Sequence, residues 1–138
     1  MNKTTDELLK TLKHNNLKTY LSDNKDEFVA SSLSEALNQM LLLKNLSKAE
    51  VIEKANIFNV YGYQIFSGQK TPSRDKLISL FFGMSLSFSE AQTLLKHAGY
   101  APLYPRNKRD SVIIYALENK MDLISCNIKL DSLGLSPL

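Results

Sequence analysis

Between Ser47 and Gly68 the chain is punctuated so closely that only two short helices about a tight turn fit. Ser47 and Glu50 stand three apart as a capping box, the serine hydroxyl taking one orphan amide and the glutamate another, and an apolar stripe of Val51, Ile52 and Ala55 follows. Residues 56–59, Asn-Ile-Phe-Asn, read as the turn. Residues 61–67 read as a second helix that Gly68 ends in a left-handed conformation.

The remaining punctuation is of the same kind. Thr4 and Glu7 form a capping box for a helix over about 4–21 that buries Leu8, Leu9 and Leu12, and a polar break at 22–24 follows. A second helix over about 26–43 places Phe28, Leu33, Leu37, Met40 and Leu41 on one face. Thr71 and Pro72 read as the cap and first-turn proline of a helix over 73–82, closed by Gly83. Ser87 and Glu90 open another helix that Gly99 stops, and Pro102 and Pro105 keep 100–105 out of helix. Two last helices, over about 106–118 and 122–133, carry Val112, Ile113, Ala116 and Leu117 and end at Gly134. There is no sustained apolar alternation and no Asn-Gly or Asp-Gly hairpin signal, so the expected class is all-α.

With 138 residues, 43% of them apolar, the chain suffices for one core and not for two independent domains. The charged start, Met1 to Lys10, does not read as a signal peptide. The densest apolar run, 40–43, is too short for a membrane span, and the expected location is cytoplasmic. Cys126 is a lone cysteine beside Ile124 and Ile128, which reads as a buried structural thiol. His14 and His97 are too few for a metal motif, and neither a metal nor a cofactor is expected. No nucleophile elbow, P-loop, dinucleotide fingerprint or His-Glu-x-x-His is present, so the chain does not read as an enzyme.

The net charge of +3 is modest, but its placement is uneven. Residues 44–76 hold six cations (Lys44, Lys48, Lys54, Lys70, Arg74, Lys76) against Glu50, Glu53 and Asp75, and residues 96–110 hold Lys96, Arg106, Lys108 and Arg109 against Asp110. Such clusters suit contact with phosphates, and equally suit plain solvated surface.

The two helices and turn of 47–68, with YQIFSGQKTPSRDKL at 63–77, resemble the lambda-repressor-like, Cro/C1-type (XRE) helix-turn-helix family over about 26–99. With APLYPRNKRD at 101–110 the chain is also similar to an XRE-type subgroup of Gram-positive bacteria. The resemblance implies a helix-turn-helix domain at 26–99, an N-terminal helical extension at 1–25, and a C-terminal helical extension at 100–138 packed on the same domain. It implies a bacterial or phage transcriptional regulator that binds double-stranded DNA as a homodimer, with Asn59, Tyr63, Gln64 and Ser67 reading bases and Lys48, Tyr61, Lys70 and Arg74 at phosphates. Two departures stand out. Ile52 and Gly62 replace the usual small and branched residues at the helix contact, and the second helix has no Arg or Lys.

Each site residue has a plainer reading beside the functional one. Ile65 and Phe66 read as core, and Tyr63 stands open between groove contact and packing. Arg74 beside Asp75 reads equally as a local ion pair, and Asp110 as a first-turn helix charge. The alternative function is a protein-interaction adaptor that keeps the scaffold without binding DNA. The helices over 106–133 are expected to contribute to self-association.

Overall fold

The computed structural model describes residues 32–138, which form one unit whose regular structure is all helix. Among these residues there are seven helices: α1 (Leu33–Lys44), α2 (Lys48–Lys54), α3 (Asn59–Ser67), α4 (Arg74–Gly83), α5 (Phe88–His97), α6 (Lys108–Glu118) and α7 (Leu123–Ser132). The expected helix over 4–21, and Phe28, lie outside the described residues.

Capping sets the helix starts. Ser32, Ser47, Ser73, Ser87, Asn107 and Asp122 each sit in extended backbone, and each side chain accepts from the amide three residues on. At Ser87 the Glu90 carboxylate also returns to the Ser87 amide, completing the capping box read from the sequence, whereas at Ser47 only the serine half of the expected box forms. Ser32 starts α1 at Leu33, and the earlier part of the expected helix, 26–31, lies outside the described residues. Thr71 and Pro72 are displaced from the cap and first turn of α4 by Ser73. Pro72 is instead buried, and its carbonyl accepts from the Tyr100 hydroxyl.

Left-handed residues set the stops. Gly68, Gly99 and Gly134 have φ of 85°, 78° and 73°, and Asn56, with φ 54°, takes the same geometry in the turn between α2 and α3. Gly83 does not close α4 in this way. It is the last helical residue, and Ser85, with φ 53°, is the left-handed one. Gly83 is needed for closeness: a methyl group there would run into the Val51 carbonyl of α2.

α4 is the centre of this unit. Leu77, Ile78, Ser79, Leu80, Phe81, Phe82 and Gly83 are all buried, as a helix apolar on every side must be. Around it one continuous apolar cluster draws Leu37 from α1, Ile52 from α2, Phe66 from α3, Leu95 from α5, Leu103 from the connector, Ile113 from α6 and Leu130 from α7. Ser79, the polar member, donates its hydroxyl to the Asp75 carbonyl at 3.0 Å.

The two Arg-Asp dipeptides at the starts of α4 and α6 exchange partners. The Arg74 guanidinium donates to both Asp110 oxygens at 3.4 and 3.2 Å, and the Arg109 guanidinium to both Asp75 oxygens at 3.0 Å. Arg74 also donates to the Ala101 and Pro102 carbonyls, and Arg109 to those of Ser136 and Pro137. The local Arg74–Asp75 pair read from the sequence is therefore replaced by two pairs across the chain. Asp110 is more than a first-turn charge, since it is buried and accepts from the Tyr104 amide at 3.0 Å. Gln92 completes the anchoring of the connector, giving its amide to the Leu103 carbonyl and accepting the Leu103 N–H at 2.8 Å.

Lys44 reaches the Glu90 carboxylate at 2.9 Å and joins α1 to α5. Burial alone would raise the Glu90 pKa, but the Ser87 amide and Lys44 outweigh it and hold the carboxyl below its ordinary value. Cys126 is buried in α7, and burial pushes its thiol from 9.0 up to about 11, with Arg109 pulling weakly the other way. Its raised pKa means that its contribution to stability is complete below pH 9 and is lost as pH rises toward 11.

Three outcomes are expected. Arg74→Ala should lower the unfolding free energy in urea by about 2–4 kcal/mol, because Asp110 is left buried without its cation. Arg109→Ala should cost about 1 kcal/mol or less, because the Asp75 side chain is 45% exposed whereas that of Asp110 is 10% exposed. Equal losses would show that the two pairs do not differ as their burial indicates. Iodoacetamide at pH 8 should alkylate the native protein roughly 100-fold more slowly than the urea-unfolded chain on ionisation alone, and equal rates would mean the thiol is accessible.

Candidate functional site

α3 divides sharply into two faces. Gly62, Ile65 and Phe66 are buried and Tyr61 is half-buried against the core, while Asn59, Val60, Tyr63, Gln64 and Ser67 occupy the opposite arc. The four expected base-reading positions thus share one face of one helix, with Asn59, Tyr63 and Ser67 a turn apart and exposed, and Gln64 half-exposed beside them. The Ser67 hydroxyl donates to the Gln64 carbonyl at 3.1 Å. No residue of the helix is charged.

Three contacts hold α3 in place. The Asn38 amide of α1 donates to the Phe66 carbonyl at 2.8 Å, and Gly68 turns the chain away. Lys48, the first residue of α2, lies over the Phe66 ring with Nζ 5.6 Å from the centroid. Gly62 meets α2 at closest approach: a Cβ there would stand 2.6 Å from Cγ2 of Ile52 and 2.8 Å from its Cγ1. The large residue at 52 and the glycine at 62 are two sides of one contact.

The four expected phosphate contacts do not share one environment, and Tyr61 packs half-buried against the core on the inner side of α3. Lys48 is half-buried at the start of α2, and Lys70 is exposed two residues beyond Gly68. Neither makes an ion pair among the described residues, nor do Lys54 and Lys76. Arg74 does not stand free as a clamp, because Asp110 and the Ala101 and Pro102 carbonyls take up its guanidinium. Of the second basic cluster, Arg109 is likewise paired, leaving Lys96, Arg106 and Lys108 exposed.

Two residues not singled out from the sequence belong to the α3 surface. Phe58 is 88% exposed and Val60 71%, the two flanking Asn59. Phe58 is the N-cap of α3, and α3 alone among the seven helices has no side-chain cap. The signal was present in the sequence: the other helix starts carry Ser, Asn or Asp where this one carries Phe.

A separate cleft of about 570 Å³ lies between the end of α2, the end of α4 and the start of α7, lined by Glu53, Lys54, Phe82, Lys120, Met121 and Ile124 among others. It shares no lining residue with α3. Among the described residues no group of His, Cys, Asp and Glu could hold a metal, and no helix is long and apolar enough to cross a membrane.

The Ile52–Gly62 contact gives a sign-reversing test. Gly62→Ala should destabilise by about 1–2 kcal/mol, overpacking outweighing the gain in helix propensity. In an Ile52→Ala background, which removes all three clashing atoms, the same change should stabilise. A destabilising effect of Gly62→Ala in both backgrounds, read by thermal melts, would place the constraint elsewhere. Comparison of the chain with family models, with curated proteins and with solved structures gives no match to any of them.

Proposed function

We propose that the chain is a DNA-binding transcriptional regulator in which α2 and α3 act as a helix-turn-helix of the Cro/C1 (XRE) kind and α3 enters the major groove. The observation that carries this reading is the exposed arc of α3, where carboxamide and hydroxyl side chains stand on an uncharged helix, with Lys48 over Phe66 of that helix and Lys70 two residues beyond Gly68, neither in an ion pair among the described residues. Asn59 and Gln64 have the paired donor and acceptor that match adenine, and Tyr63 and Ser67 can bond base edges or phosphates. Lys48, Lys70 and Lys76 would neutralise backbone phosphates. Arg74 has no part in this, since it holds the fold together. A helix of nine residues reads few base pairs, so two copies are proposed to act on one operator, as a homodimer.

A second reading rests on one observation. Phe58 and Val60 are apolar and exposed, as in a surface that a protein partner covers, and an adaptor would use them so.

The deciding experiment is a salt titration of binding to random duplex DNA, with the wild-type chain beside a Lys48→Ala/Lys70→Ala/Lys76→Ala variant. Arg74 is left intact so that folding is not confounded with binding. Affinity should fall steeply with salt, the slope should drop by about 2–3 in the triple variant, and the stoichiometry should be two chains per duplex. No binding at low salt would overturn the regulator in favour of the adaptor.

A further inference from the structure

From the α3 surface we infer a base preference: the helix reads A·T pairs and grips thymine methyl groups through Phe58 and Val60. The inference rests on the DNA-binding reading above and specifies what that site recognises.

α3 lacks the groups that read G·C pairs. Guanine is read in the major groove mainly by Arg or Lys reaching O6 and N7, and cytosine by a carboxylate accepting from N4. No residue from 57 to 69 carries a charge, and the nearest arginine, Arg74, is held by Asp110. The groups that α3 does present are of the other kind. Asn59 and Gln64 each offer an N–H donor beside a C=O acceptor, the complement of adenine N7 and N6. Phe58 and Val60 stand on either side of Asn59 with 88% and 71% of their surface exposed. Thymine alone among the bases places an apolar group, its C5 methyl, on the major-groove edge.

Charge complementarity points the same way. A duplex offers a neutral groove floor between two phosphate rails, and here an uncharged helix is followed by Lys70 and Lys76 and flanked by Lys48, whose ammonium lies over Phe66 of that helix. The position of Phe58 adds a structural reason. At the start of α3 it replaces the polar cap used by the other six helices, so the first turn forgoes a hydrogen bond and presents a phenyl ring. Such a breach of the local rule is expected where a surface serves binding.

The test uses three duplexes of equal length at one salt concentration: an A·T-rich duplex, the same duplex with every thymine replaced by uracil, and a G·C-rich duplex. Uracil keeps the pairing and removes only the C5 methyl. The A·T-rich duplex should bind about tenfold more tightly than the G·C-rich one, and uracil replacement should weaken it about threefold to tenfold. The loss on uracil replacement should vanish in a Phe58→Ala/Val60→Ala variant, whose changes fall on exposed side chains and leave the melting curve unchanged. Equal, salt-dependent binding of all three duplexes would overturn this inference and leave the DNA-binding reading standing. A preference for A·T that survives uracil replacement would also overturn it, since that preference would come from the minor groove or duplex shape. Binding to none of the three would overturn both.

Discussion

The constraint on which the architecture depends is that α4, beyond its first turn, has no face for water. Seven of its ten residues are buried, and α2, α5 and α7 pack on it to cover them. α2 does so at the closest range, backbone against backbone, because Gly83 leaves room for the Val51 carbonyl. That contact fixes α2, and through Ile52 against Gly62 it fixes α3. The orientation of the exposed α3 arc is therefore set by two glycines whose absent side chains let three helices approach.

At its other end α4 is held by charge. Arg74 and Asp75 reach across to Asp110 and Arg109, and the same two guanidinium groups hold the carbonyls of 101, 102, 136 and 137. Two stretches without regular structure are thus bound to helix starts by residues that also satisfy each other, which suits the planar fork of arginine in a way a lysine ammonium does not. The exchange has a second consequence. Of the cations that make the 44–76 segment basic, it withdraws Arg74, and Glu90 takes Lys44, so the charge left for a partner is carried by lysines alone. Lysine is a compact point charge without the planar fork of arginine, so under the proposed DNA-binding reading these side chains would meet phosphates and leave base selection to α3.

Local signals were legible in the sequence where local physics decides them. The Ser47 and Ser87 caps, the left-handed turns at Gly68, Gly99 and Gly134, the tolerance of Asn56 for that geometry, and the buried Cys126 all follow from residues a few positions apart. The Ile52–Gly62 exchange was visible because volume lost at one position matched volume gained at the other. Gly83 was not legible, because a glycine at the end of an apolar run reads alike whether it ends a helix or admits a neighbour. Nor were the ion pairs: Arg74 lies beside Asp75 in sequence, but its partner stands 36 residues away, and only the recurrence of Arg-Asp at two helix starts hinted at the exchange. Thr71 and Pro72 misled for a related reason, since Ser73 caps equally well and tertiary contact with Tyr100 decided between them.

The same distinction explains why α3 can bear an unfavourable start. Losing a polar N-cap costs about 0.5–2 kcal/mol, and an exposed phenyl ring adds no burial to offset it. The helix is secured from its other end: Ile65 and Phe66 enter the core, Asn38 bonds the Phe66 carbonyl, and Gly68 closes the last turn. With stability supplied by the C-terminal half, the N-terminal turn is released from the sequence rules that govern the other six helices. Phe58, Asn59 and Val60 are consequently free of demands from the fold, and under the proposed DNA-binding reading a change at these positions would alter recognition without disturbing the core.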